Sequence, residues 1–155
     1  MTASSTSQIP DQEAYLFMSP NLNFNHVGDA ELEIECKWYA STSSNETQQD
    51  PQICIETAAG SSGNNGAKIW GNPTSGSNTQ TTVPGMISDA GVSCREFHTY
   101  NLKSVEGYIT LTIDNDIIFE GNGVTNNQYI TRTGISGSVS GTGLYIKSIK
   151  YKAGS

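Results

Sequence analysis

The stretch Glu31-Leu32-Glu33-Ile34-Glu35-Cys36-Lys37-Trp38-Tyr39-Ala40 decides the fold class. Leu32, Ile34, Cys36, Trp38 and Ala40 alternate without a break with Glu31, Glu33, Glu35, Lys37 and Tyr39. A period of two belongs to extended chain, whose successive side chains point to opposite faces, so the segment predicts a strand with one dry and one wet side.

Short extended segments recur in both directions from it. Upstream, the apolar run Ala14 to Met18 is stopped by Ser19-Pro20, as an edge strand would be. Downstream, a Ser/Thr/Asn/Gln loop over 41–50 leads into a strand around Ile53, Cys54 and Ile55. Gly60 to Gly76 reads as a long irregular excursion with Ile69-Trp70 at its centre. Phe97 to Leu102 is extended, Glu106-Gly107 turns the chain, and Ile109, Leu111 and Ile113 share a core face. Asp114-Asn115-Asp116 then reverses it into Ile117 to Glu120, with turn residues that tolerate positive φ. Short strands around Tyr129 and Ile135 follow, and Leu144 to Tyr151 closes the domain. About ten short strands at this spacing predict an all-β, antiparallel two-sheet sandwich.

Composition agrees with the pattern. The 155 residues include 19 Ser, 16 Thr and 13 Asn with 16 Gly, an uncharged polarity that suits strands and turns better than helices. That length predicts one domain over 13–155, preceded by an arm at 1–12 that is either flexible or pinned by a partner chain. Eight Lys+Arg against 15 Asp+Glu give a net charge of −7, which argues against nucleic acid and anionic membranes as partners. Met1 to Pro10 is polar and lacks the basic start and apolar run of a secretion signal. Cys36, Cys54 and Cys94 are odd in number and widely spaced, so reduced thiols are expected. Asn45-Glu46-Thr47 has the form of a glycosylation sequon and reads as a surface loop.

Phe97-His98-Thr99-Tyr100, followed by Gly107-Tyr108-Ile109-Thr110-Leu111-Thr112-Ile113-Asp114 and Ile117-Ile118, resembles the concanavalin A-like jelly-roll superfamily of laminin G-like modules, legume-type lectins and laminarinase-like glycanases. Leu32 to Trp38 resembles the first core strand of laminin G-like modules, and Leu144 to Ile149 the closing one. The resemblance implies a jelly-roll sandwich, and it leaves function open because this fold hosts lectins, enzymes and structural proteins alike. The usual Asp-Gly of the hairpin turn is here Asp114-Asn115-Asp116.

Several residues invite a chemical reading. Glu31, Glu33 and Glu35 resemble the acidic string of the glycanases, with Glu33 in place of the middle Asp. Neighbours two apart on a strand lie about 6.7 Å apart, whereas a retaining glycosidase holds its two carboxyl groups about 5–5.5 Å apart. A solvated acidic strand face is the expectation, glycoside hydrolysis the alternative. Trp70, beside Asn64, Asn65 and Asn72, offers an indole face and amide groups to a glycan, or else plugs the core. Asp114, Asn115 and Asp116, with Asp89, offer oxygens of the kind that lectins in this superfamily use for calcium, although turn formation alone accounts for them. The expectation is therefore no catalytic residue and no cofactor, with calcium as the alternative.

Taken together, these features predict a non-enzymatic, surface-displayed module, such as a virion decoration or tail-fibre protein, assembled as a homo-oligomer through its N-terminal arm. Its expected place is a virion or other extracellular surface assembly reached without a signal peptide, with the cytoplasm as the alternative; a soluble carbohydrate-binding lectin is the second reading of its function and a laminarinase-like glycoside hydrolase the third.

Overall fold

The computed structural model describes residues 16–18, 22–40, 51–56, 66–71, 78–83, 86–122, 132–136 and 142–154. Twelve strands occupy most of them. They are β1 (Leu16–Met18), β2 (Leu22–Asn25), β3 (Asp29–Ala40), β4 (Gln52–Glu56), β5 (Gly66–Gly71), β6 (Asn78–Val83), β7 (Met86–Ser93), β8 (His98–Val105), β9 (Tyr108–Ile113), β10 (Asp116–Asn122), β11 (Arg132–Ser136) and β12 (Thr142–Gly154). The strands form two antiparallel six-stranded sheets, ordered β1-β12-β3-β8-β9-β10 (sheet A) and β2-β11-β4-β5-β6-β7 (sheet B). The predicted arm at 1–12, the loop at 41–50, the Asn45 sequon and the strand around Tyr129 lie outside the described residues.

The core follows from the alternation. Leu32, Ile34, Cys36 and Trp38 of β3 are buried, as are Tyr100 and Leu102 of β8 and Ile109, Leu111 and Ile113 of β9. From sheet B they meet Ile53 and Ile55 of β4, Ala67 and Ile69 of β5 and Ile135 of β11 in one contiguous cluster. Each such aliphatic side chain taken from water contributes about 1.5–3 kcal/mol. Trp38 and Tyr100 pack edge to face at 5.4 Å, and the Trp38 indole N–H donates to Pro51 O at 2.8 Å. Tyr100 also reaches across the core, where its hydroxyl and that of Thr79 on β6 lie 2.9 Å apart. Phe24 stacks on Tyr151 at 4.1 Å and so ties β2 of one sheet to β12 of the other.

Tight turns supply the reversals. Glu106 (φ 51°) with Gly107 (φ 82°), and Asp114 (φ 52°) with Asn115 (φ 71°), hold the paired positive φ of two-residue hairpin loops. The Asp114-Asn115 pair thus does the work of the Asp-Gly it replaces.

Two sequence expectations need correction. Gly60 to Gly76 is not one irregular excursion, because Gly66–Gly71 is strand β5, paired with both β4 and β6. Gly66 makes the entry possible: at φ 101° a Cβ there would stand 2.2 Å from Ile55 O. The described residues also hold twelve strands rather than about ten, with β2, β6 and β7 not foreseen from the sequence.

Candidate functional site

Each sheet has one face in the core and one turned away, and the chemistry lies on the outward faces. On β4, Ile53 and Ile55 point into the core, so Gln52, Cys54 and Glu56 point away from it. On β5, Ala67 and Ile69 are core residues, and Lys68 and Trp70 point away. Register places Trp70 beside Gln52 on one side and Gln80 on the other, and Cys54 beside Lys68. Arg132 of β11 stands opposite Glu56. This outward face of sheet B is closely packed: Cys54, Glu56 and Trp70 are only 2%, 3% and 9% exposed. A carboxylate this buried is costly unless it is paired, and Glu56 does have a partner.

Of the two places the sequence left open for Trp70, the structure shows the strand and not the open loop. Trp70 stands on a central strand, on the side away from the hydrophobic cluster, with little of its surface free. Asn64, Asn65 and Asn72 lie outside the described residues. Sequence reading missed Gln52 as the neighbour of Trp70, because pairing between β4 and β5 rather than spacing along the chain brings them together; Glu56 stands opposite Gly66, four residues further along β4 and about 13 Å away.

Glu31, Glu33 and Glu35 do share one face, the outward side of β3 in sheet A. Each is engaged separately. Asn101 Nδ2 donates to Glu31 at 2.9 Å, Lys150 pairs with Glu33 at 3.4 Å, and Lys147 pairs with Glu35 at 3.5 Å. The register supplies these partners, with Lys152 and Lys103 flanking Glu31, and Lys150 and Asn101 flanking Glu33. The arrangement is a charge ladder on a sheet surface.

Asp114 has a local task. One carboxylate oxygen accepts the Thr99 N–H at 2.9 Å and the other accepts His98 Nδ1–H at 2.5 Å, while the Asp114 N–H donates to Thr99 O at 2.9 Å. Burial raises this carboxyl, but the Thr99 N–H and His98 outweigh it and hold it below the ordinary carboxylate value. Asn115 and Asp116 beside it are exposed. Among the described residues, no three His, Cys, Asp or Glu side chains cluster closely enough to hold a metal ion.

The other titratable groups in the interior are constrained. His26 donates from Nδ1 to Gly28 O at 3.2 Å and accepts from the Thr133 hydroxyl at Nε2, 3.0 Å away. Both bonds suit the neutral ring, and burial lowers its pKa against the opposing pull of Gly28. Cys36, Cys54 and Cys94 are buried thiols outside any disulfide, and burial, with the Glu35 charge, drives the Cys36 thiol well upward. A nucleophile needs the reverse environment.

The sequence matches no protein-family model, and no curated protein matches it. Among solved structures, the chain is similar to the Emp47p carbohydrate recognition domain at 12% identity, with a TM-score of 0.56 over 93% of this chain and 85% of that one. It is similar to the alginate lyase AlyC3 at 9% identity, with a TM-score of 0.55 over 89% of this chain and 69% of that one. The PL7 alginate lyase AlyA1 from Zobellia galactanivorans gives 13% and 0.51 over 84% of this chain and 64% of that one. The chain has the concanavalin A-like jelly-roll fold that its strand strings resembled.

Proposed function

We propose that this chain is a non-enzymatic carbohydrate-binding module whose glycan site is the outward face of sheet B around Glu56, Lys68 and Trp70. One observation carries the reading: the outward face of sheet B runs from Trp70, set between Gln52 and Gln80, past Lys68 beside Cys54, to Glu56 at the far end of β4. At 3% and 9% exposure Glu56 and Trp70 are the floor of that face rather than its open surface, and an aromatic ring flanked by amide and charged groups is the kind of support a sugar site is built on. Two of the similar structures carry this fold in different trades, one titled a carbohydrate recognition domain and another an alginate lyase, so the fold alone does not choose between binding and cleavage. The buried thiols and the separately paired glutamates favour binding.

A glycan array with the wild-type chain, followed by titration of the best hit against Trp70→Phe and Glu56→Gln, tests this. Binding that weakens at least tenfold in both variants, with melting curves retained, supports it. A blank array, or variants that bind like wild type, removes it. Display on a virion through the arm at 1–12 is a separate part of the proposal, favoured by the Ser/Thr/Asn/Gly composition. Native mass measured at high concentration tests that part, and a clean monomer counts against it.

A further inference from the structure

The chain carries six lysines and a net charge of −7. Five of those lysines, Lys37, Lys103, Lys147, Lys150 and Lys152, fall on the outward face of one three-strand patch, β12-β3-β8 of sheet A. They share it with Asp29, Glu31, Glu33 and Glu35, so five ammonium groups against four carboxylates leave +1 here and −8 for the rest of the chain. Lys147 and Lys150 are ion-paired. Among the described residues, Lys37, Lys103 and Lys152 have no carboxylate partner.

These three free charges sit at the two ends of the patch. At one end Lys103 and Lys152 flank Glu31 from either side, and between them the surface sinks into two adjoining depressions of about 280 and 270 Å³ that share Glu31 and Lys152. At the other end Lys37 lies 4.8 Å from the centre of the Phe97 ring and 5.7 Å from that of Tyr145, and Tyr145 stacks on Tyr39 at 4.9 Å. Lys37 lies six steps along the strand from Glu31, roughly 20 Å of extended chain.

We propose that this outward face of sheet A is a second binding surface, for an extended anionic polysaccharide bearing sulfate or carboxylate groups. Sparse cations at both ends, an aromatic stack at one of them and a floor of carboxylates and Asn101 between fit such a polymer. Its anionic groups meet Lys37 and the Lys103/Lys152 pair, a sugar ring lies against the Tyr39/Tyr145 stack, and its hydroxyls donate to Glu31 and Glu33. A DNA strand fits poorly, because its sugar-phosphate backbone has no hydroxyl hydrogen to give those two glutamates. The surface stands independently of the sheet B site, on the opposite side of the sandwich.

Isothermal titration of the full chain with tetragalacturonate, a sulfated tetrasaccharide and an oligothymidylate tests this at about 20 and about 200 mM salt. Either anionic oligosaccharide binds, weakens as salt rises, and loses at least tenfold in affinity in the triple variant Lys37→Gln/Lys103→Gln/Lys152→Gln. These side chains are on the surface, so the variant's melting curve matches wild type. Trp70→Phe leaves the affinity unchanged, which separates this surface from the sheet B site. The proposal is overturned if neither anionic oligosaccharide binds, if the triple variant binds like wild type, or if oligothymidylate binds as tightly. It is also overturned by a wild-type dimer that becomes monomeric in the triple variant, since the face would then be covered by a second copy.

Discussion

Removing the Tyr100 hydroxyl should cost more than the hydroxyl contributes, because of what it leaves behind. Its partner, the Thr79 hydroxyl, is 0% exposed and 2.9 Å away, across the interior between the two sheets. Tyr100→Phe strands that hydroxyl, and Thr79→Val strands the phenol, so each single change costs about 1–3 kcal/mol. The double variant removes both groups together and should cost less than the sum by about 1 kcal/mol. For a chain of this size, a loss of about 2 kcal/mol lowers Tm by roughly 4–8 °C. Urea unfolding of the four proteins, with the m-value checked for constancy, gives the coupling directly. Single costs that add within about 0.3 kcal/mol would show that the two hydroxyls do not communicate, and would refute the reasoning. Burial also pushes the Tyr100 ionisation far above its ordinary value, the Thr79 bond opposing in part. The folded state therefore favours the neutral phenol, and stability is full below about pH 10 and falls above it as the unfolded chain ionises.

Further outcomes concern acid, backbone and thiols. His26 has a lowered pKa in the fold, so the unfolded chain takes up protons first and stability should decline as pH falls below about 6.5. His26→Gln should remove that limb of a urea-midpoint profile. A second, smaller decline should appear as pH falls through the ordinary carboxylate range toward the depressed Asp114 value, and Asp114→Asn should flatten it. Gly66→Ala should cost at least about 2 kcal/mol, because a Cβ meets Ile55 O, whereas Gly91→Ala, with nothing within 4 Å, should cost about 1 kcal/mol from its φ of 78° alone. None of the three cysteines should react with a thiol reagent in the native chain, and all three should react in urea.

The sequence was most legible where burial alternates. Leu32, Ile34, Cys36 and Trp38 were expected on one dry face and are all 2% exposed or less, and the reversal at Asp114-Asn115 was read from residues that accept positive φ. Strand β6, Asn78–Val83, was not legible, because its residues are almost all polar and its existence depends on pairing with β5 and β7. Trp70 left two readings open, loop platform or strand, because Gly and Asn surround it in sequence while its strand partners are Gln52 and Gln80. The lysine patch was invisible for a related reason. Its charges come from positions 37, 103 and 147–152, and only the register of β12 and β8 against β3 assembles them.

That register also sets the order in which the chain can be built. β3 is hydrogen-bonded along its length to β12, the last strand, with Asp29 opposite Gly154 and Ala40 opposite Thr142. On a ribosome, β3 waits unpaired on that side while a hundred more residues are made, so closure of the sandwich is a late and slow event governed by distant contacts. A nascent chain halted before Thr142 would leave one whole hydrogen-bonding edge of a twelve-residue strand unpaired, where a chaperone or another stalled chain is the nearest substitute.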